Sequence, residues 1–383
     1  MRDTKRRLVL DDGREMAILD LDAKRRLVLP TAAERVRATL DGERVYVIHG
    51  TTLEALTIEA RLTRVWQTPL PFEPMLEDDC LGVVATERGI AVVQQTHVTT
   101  FDRATGAVVA KAAFPAQDGF VPISRALDVP PIVAATIRDV IVVTERGSVA
   151  VPLGESVIDA RRTPAGPCVV TMLAKSGKPS RHVVCFAPSG AQRFSVDVGG
   201  ETPWAWSDRH LLLGELAYGK LEGSEMVDLR TGTRTPLYDA AGIVEDGERT
   251  LRLQASLQLA PDSGWRLSLS EVGAREGVHL WTDHPPAGAS AYAIAAIGSD
   301  LLLATSEERV DVVFVERRAR DSGALVWRRS VGLGAGLVNA YVRTDVQLEV
   351  LGDRVIVRAR TGSMTRSARE LYVLDAATGA DAH

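Results

Sequence analysis

Three sets of residues in this chain have types and spacings that could do chemistry. His279, Asp283 and His284, in GVHLWTDHPP, offer two imidazoles and a carboxylate, a set able to ligate a divalent cation. Trp281 and the two following prolines place them at a strand-to-loop exit, where residues five apart diverge, so a solvated loop is expected and no metal site is assigned. Asp20 with Asp22, and Glu77, Asp78 and Asp79, are carboxylate clusters of the kind calcium prefers, but no Asp-x-Asp-x-Asp-Gly loop supplies the remaining oxygens. His97, His210 and Arg138 each stand beside a strand end, from which a titratable side chain could reach a shared channel.

The motifs of common chemistries are missing. There is no GxSxG elbow, no SxxK pair, no P-loop and no GxGxxG turn. GLGAG at 332–336 lacks the strand-to-helix setting that a dinucleotide turn needs and reads as a loop. No catalytic residue and no cofactor-binding residue follows from the sequence, and no cofactor is expected.

The chain of 383 residues is 45% hydrophobic and 25% charged, an ordinary globular composition with enough apolar residues for a large core. Its 45 Lys and Arg against 50 Asp and Glu give a net charge of -5, which argues against a protein devoted to nucleic-acid phosphates or an anionic membrane. Basic clusters do occur at Lys5 to Arg7, Lys24 to Arg26, Arg161 and Arg162, Arg317 to Arg320, and Arg328 with Arg329. Alternation along strands would turn many of these outward as solvated edge charges. Cys80, Cys168 and Cys185 form no CxxC or adjacent pair, which suggests a reducing compartment. Leu8, Val9 and Leu10 are too short a run for a signal peptide, and no stretch of 18 apolar residues exists, so a cytoplasmic chain without membrane contact is expected.

The elements that must position any site are strands. Short runs rich in Val, Ile and Leu, such as RVYVIHG, IAVVQQ, HLLLGEL and DRVIVRA, are bounded by Gly, Asp, Ser or Pro, and amphipathic helical periodicity is scarce. The runs repeat. A strand, a tight turn ending in Gly and a bulky residue four positions later recur as FDRATGAVVA (Gly106), VDLRTGTRTP (Gly232), RARDSGALVW (Gly323) and YVLDAATGA (Gly379). Weaker copies fall at Leu62, Gly147, Gly190 and Gly277, giving spacings of 41 to 46 residues and a last one of 56. Such a period holds about four strands, as in a propeller blade of the WD40-like kind.

About 20 residues before each marker lies a hairpin linking a first to a second strand: ATLDGERVYV, VATERGIAVV, AATIRDVIVV, AWSDRHLLL, AAIGSDLLLA and EVLGDRVIVR. Two blades lack a clean copy, and there CVVTML with RHVVCF, and LRLQASLQL with WRLSLSEV, are read instead. The markers predict an all-β propeller of eight four-stranded blades, or seven if the region around Gly147 is not a full blade, as one domain over residues 1–383. An N-terminal strand, at 8–10 or 16–21, is expected to complete the last blade and close the ring.

This wording resembles the PQQ-like, or quinoprotein-like, repeat: an apolar strand, then ALD, two residues, TG and a Trp a few positions on. YVLDAATG, FDRATG, VDLRTG and SGALVW carry the resemblance. It implies that the Thr/Ser-Gly turn joins the third strand to the fourth and that Trp66, Trp281 and Trp327, with Phe194 as a substitute, pack between neighbouring blades. The quinone-dependent dehydrogenases of the family are longer, are exported and often carry a disulfide between adjacent cysteines, all absent here, and the resemblance therefore implies the non-catalytic type. Its lipid-anchored outer-membrane member is likewise exported. The expected function is a scaffold or recognition module that binds a protein partner, with an enzyme or small-ligand binder using the central channel as the alternative.

Overall fold

The computed structural model describes residues 7–11, 16–29, 36–70, 80–94, 96–114, 125–136, 138–144, 147–173, 180–217, 220–237, 240–258, 264–272, 289–307, 312–332, 343–362 and 367–382. They form nine antiparallel sheets of three or four strands, each hydrogen-bonded in chain order: the blades of a β-propeller. The chain divides into two compact units, residues 1–200 and 201–383. The first unit holds sheets 1 to 5, spanning residues 7–28, 36–69, 80–113, 125–152 and 156–199. The second holds sheets 6 to 9, spanning 202–236, 240–271, 289–332 and 343–375.

Burial explains why the second strands are continuous apolar runs. Gly89–Gln94 and Ile132–Ala135 are buried at every residue, because a neighbouring sheet covers each face. The fourth strands alternate, as Leu62–Pro69 does, and carry solvent on one side. The core accordingly lies between sheets. One cluster joins Val84, Ala91, Val93 and Val98 of sheet 3 to Val133, Ala134, Ile141 and Val143 of sheet 4. Another joins Leu302, Val313 and Trp327 of sheet 8 to Val346, Val355 and Leu374 of sheet 9. Removing apolar area from water at such interfaces is the main favourable contribution to each unit's stability.

The number of blades corrects the expectation of eight or seven. Asp139–Thr144 and Gly147–Pro152 are the third and fourth strands of a complete sheet, so the region around Gly147 is a full blade. The ninth blade is N-terminal: Arg7–Asp11, Met16–Asp20 and Arg25–Val28 form a sheet of their own. They do not complete the last blade. The cause is local: pairing neighbours across short turns closes the smallest loop and loses the least chain entropy. On the last sheet, the chain's own final residues take the outer edge, with Asp381 bridging Leu374 and the Ala382 N–H donating to the Val373 carbonyl at 2.9 Å.

Three hairpin assignments also change. AATIRDVIVV joins a second to a third strand, because Arg125–Val129 precedes it as the first strand of that sheet. CVVTML with RHVVCF, and LRLQASLQL with WRLSLSEV, are likewise second-to-third pairs, behind first strands Ser156–Thr163 and Ala240–Asp246. Cys168 and Cys185, which no spacing motif links in the sequence, face each other across adjacent strands, Cα to Cα 4.1 Å, and form a disulfide. Among the described residues, no helix is long and apolar enough to cross a membrane.

Candidate interaction surface

The repeated turn positions the outer strands. In FDRATG, Asp102 Oδ1 accepts from the backbone N–H groups of Ala104 (3.0 Å) and Thr105 (2.8 Å) and from the Thr105 hydroxyl (2.8 Å). LDAATG repeats this at Asp375, and the hydrogen bonds from Thr105 and Thr378 hold both carboxyls below their ordinary pKa. Gly106 and Gly379 follow with φ of 72° and 70°, where a Cβ would be strained. Each lies under a tryptophan of the preceding sheet. Trp66 covers Gly106 and donates its indole N–H to the Arg103 carbonyl at 2.9 Å; Trp327 covers Gly379 and donates to Ala376 at 3.1 Å. Arg44 and Arg317 add a second donor to those same carbonyls, at 2.8 and 2.9 Å. The inter-blade role expected of Trp66 and Trp327 is thus present, while Trp281 lies outside the described residues.

In sheets 2, 3, 5 and 8 the fourth strand carries one extra residue. Ala55 pairs with Trp66 but Leu56 with Arg64, Thr100 with Ala110 but Phe101 with Val108, Cys185 with Phe194 but Phe186 with Gln192, and Arg317 with Trp327 but Arg318 with Leu325. The unpaired residue of each bulge is Val65, Val109, Arg193 or Val326. Val109 is 57% exposed and Val326 50%, and their neighbours Val108 and Leu325 are also half exposed. Arg193 in the same place shows that the fold accepts a charge there, so packing does not demand valine.

In the first unit these residues adjoin others. Strand Val108–Ala113 lies against Gly147–Pro152 of the next sheet, where a Cβ on Gly147 would stand 3.7 Å from that of Ala110 and the Thr100 and Ser148 hydroxyls are 3.1 Å apart. Val149, 48% exposed, is two residues beyond that contact. Val108, Val109 and Val149 therefore present apolar surface on two neighbouring outer strands, a feature that marks contact sites when it is contiguous.

The titratable candidates have structural partners or none. His210 Nδ1 lies 2.8 Å from Glu245 Oε1, in a cluster that joins the first turn of sheet 6 to sheet 7. Ser207 Oγ donates to the same oxygen at 2.6 Å, and Arg209 and Thr250 donate to Oε2 at 2.6 and 3.0 Å. Burial alone would raise the Glu245 carboxyl, but hydrogen bonds from His210, Ser207 and Arg209 outweigh it and hold the pKa at about 2. A carboxylate so fully engaged is an anchor, with no accepting capacity left for a proton transfer at neutral pH. No serine–histidine–carboxylate relay is formed either, since Ser207 and His210 both address the carboxylate instead of each other's reactive atoms.

His97 has its Nδ1 3.0 Å from Thr96 Oγ1 and its buried Nε2 without a hydrogen bond, and burial, then Lys111, lowers its pKa. Arg138 serves through its backbone: its carbonyl accepts from Leu153 and Gly154 at 2.7 and 2.9 Å. Asp20 is engaged by Arg7 at 3.2 Å and by the Ala23 N–H at 3.0 Å, contacts that tie it into the first sheet. His279, Asp283 and His284, and Glu77 to Asp79, lie outside the described residues. Among the described residues no group of three or more His, Cys, Asp or Glu is arranged to hold a metal.

Glu245 and the bulge residues escape sequence reading. The available signals were the Ser-x-Arg and Thr-x-Arg turns at Ser207, Thr86 and Thr136, and the apolar pair two positions after a turn glycine, in GAVV and GALV.

No protein-family model matches the chain, and no curated protein matches it. Solved β-propellers do resemble it in structure. A eukaryotic initiation factor aligns with TM-score 0.55 and 10% identity, covering 99% of this chain and 95% of that one. The dihydro-heme d1 dehydrogenase NirN aligns with TM-score 0.45 and 15% identity over 86% and 74%, and the WD40 domain of SCAP from fission yeast with 0.40 and 8% over 84% and 92%. At these identities the likeness concerns the fold alone.

Proposed function

We propose that this chain is a recognition scaffold: a propeller of the non-catalytic, PQQ-like-repeat type whose outer strands dock a protein partner. The observation that carries the reading is the exposed apolar set Val108, Val109 and Val149 on neighbouring fourth strands; at the bulge position of Val109 the equivalent Arg193 shows that the fold has no need of an apolar side chain. The titratable groups support it from the other side, because Glu245, His210 and Asp20 are engaged in holding strands and sheets together. The repeat type rests on the FDRATG, VDLRTG and LDAATG turns.

The test is co-purification from the native host at native expression level, with quantitative mass spectrometry, of the wild-type chain and of Val108→Ser/Val109→Ser/Val149→Ser. A stoichiometric protein that accompanies the wild type through moderate salt and is depleted from the variant is the expected result. Recovery of the chain alone would overturn the reading.

A further inference from the structure

The outer strand of sheet 8, Leu325–Gly332, combines an open edge with two adjacent, nearly half-exposed arginines, Arg328 and Arg329. Among the described residues it is the last strand in its sheet and is paired on one side only, with Val312–Ala319. The bulge at Val326 disturbs its start, but from Trp327 to Gly332 it pairs one to one with Arg317 to Val312. Along these six residues of regular backbone, alternate residues direct their N–H and C=O groups outward, toward an incoming strand.

The two strands and their turn carry Arg317, Arg318, Arg320, Arg328 and Arg329 against Glu316 and Asp321; Arg317 is paired with Asp300 at 2.7 Å and Arg320 with Asp246, which leaves Arg328 and Arg329, both nearly half exposed, as the charges within reach of a partner. Glu316 is shared between Arg318 at 2.8 Å and Arg328 at 3.2 Å. Arg328 also lies over the Phe314 ring, 4.2 Å from its centroid. Arg329 holds Asp381 at 2.6 Å, but both side chains are nearly half exposed, and an ion pair in that setting exchanges readily for another carboxylate. Arg328 and Arg329 are successive residues of one strand, so they project to opposite faces of the sheet.

Charges on an edge strand ordinarily keep like edges apart. Two arginines repel a second basic or identical edge, and for the same electrostatic reason they favour a strand bearing carboxylates. We propose that Leu325–Gly332 receives an extended acidic segment of a partner protein by β-strand addition. Its carboxylates would lie beside Arg328 and Arg329, and an apolar residue would lie beside Leu325 and Val326. The proposal rests on the recognition reading above and specifies one partner chemistry within it.

The probe is a labelled ten-residue peptide with two adjacent glutamates, one for each face of the strand, among valines and threonines, compared with its lysine-for-glutamate analogue and with a copy N-methylated at alternate amides. Binding is read by fluorescence anisotropy, and protection at 327–332 by hydrogen exchange. The acidic probe should bind and protect this strand, while the lysine and N-methylated peptides should not. Arg328→Glu/Arg329→Glu should weaken binding about tenfold or more, and Arg328→Lys/Arg329→Lys should retain most of it, with thermal melts confirming that both variants fold. An acidic probe that fails to bind, or that binds equally after N-methylation, overturns strand addition whatever co-purifies with the chain. Absence of any co-purifying protein from the wild type overturns the underlying reading instead.

Discussion

The indole of Trp66 lies over Gly106 of the next sheet so closely that a Cβ on the glycine would stand 2.6 Å from ring carbon Cε3. The same contact recurs between Trp327 and Gly379, also at 2.6 Å, which makes it a design element of the repeat. The turn glycine is therefore fixed for two separable reasons, its positive φ and the ring above it.

Those reasons can be told apart at Gly42, which has φ of 62° and nothing within 4 Å of its would-be Cβ. Gly42→Ala should cost only the left-handed backbone penalty, about 1–2 kcal/mol. Gly106→Ala incurs that and must also displace the indole, adding about 1–3 kcal/mol of overpacking. Urea unfolding of the two variants checks this, and equal losses would show that the ring contact adds nothing.

The acid response of the second unit should centre on Glu245. Its folded pKa of about 2 lies below the ordinary glutamate value of 4.5, so the native carboxylate binds a proton less readily than the unfolded one. The associated stability is therefore present above the unfolded pKa and is lost as pH falls toward 2. By linkage the effect is on the order of 3 kcal/mol. Glu245→Gln should flatten the decline in stability between roughly pH 4.5 and 2, measured by urea midpoints across that range. A variant with the same acid slope as the wild type would place the response elsewhere.

The bulge positions give the opposite kind of expectation. Val109 and Val326 stand where Arg193 stands in sheet 5, so Val109→Arg and Val326→Arg should change folding free energy by less than about 0.5 kcal/mol. Calorimetric melts decide it. A large destabilisation would mean that these valines serve the fold, and the argument for a docking surface from their exposure would fail.

What the sequence revealed, and what it hid, follows from the range of each signal. Gly106, Gly232, Gly323 and Gly379 mark their turns because each carries a positive φ within a few residues of a recurring strand. The first sheet has no such glycine among the described residues: Lys24, with φ of 49°, takes the left-handed position in the turn before its third strand, so the glycine marker does not reach that blade. His210 was legible as a candidate, but its partner Glu245 is 35 residues away and meets it only because adjacent sheets pack side by side. Composition cannot report such a juxtaposition. The cysteine pair was hidden for a related reason, since opposing Cys168 to Cys185 depends on the register set by Leu173 and Ser180.

That register leads to the last prediction. Cys168 and Cys185 are fully buried, 17 residues apart in sequence, and bonded across the second and third strands of sheet 5. A cross-link closing a loop of this size removes about 3 kcal/mol of freedom from the unfolded chain in the entropic account. Cys168→Ala/Cys185→Ala should lower stability by about 2–4 kcal/mol, including the small cavity left by each sulfur. Burial also shields the bond, so a mild reductant should leave the folded protein unchanged and act only once denaturant opens the sheet. Protein purified from its host without reductant, then denatured and alkylated, should take up a single label at Cys80, and three labels after reduction. Three labels before reduction would show that the native chain keeps these cysteines as thiols.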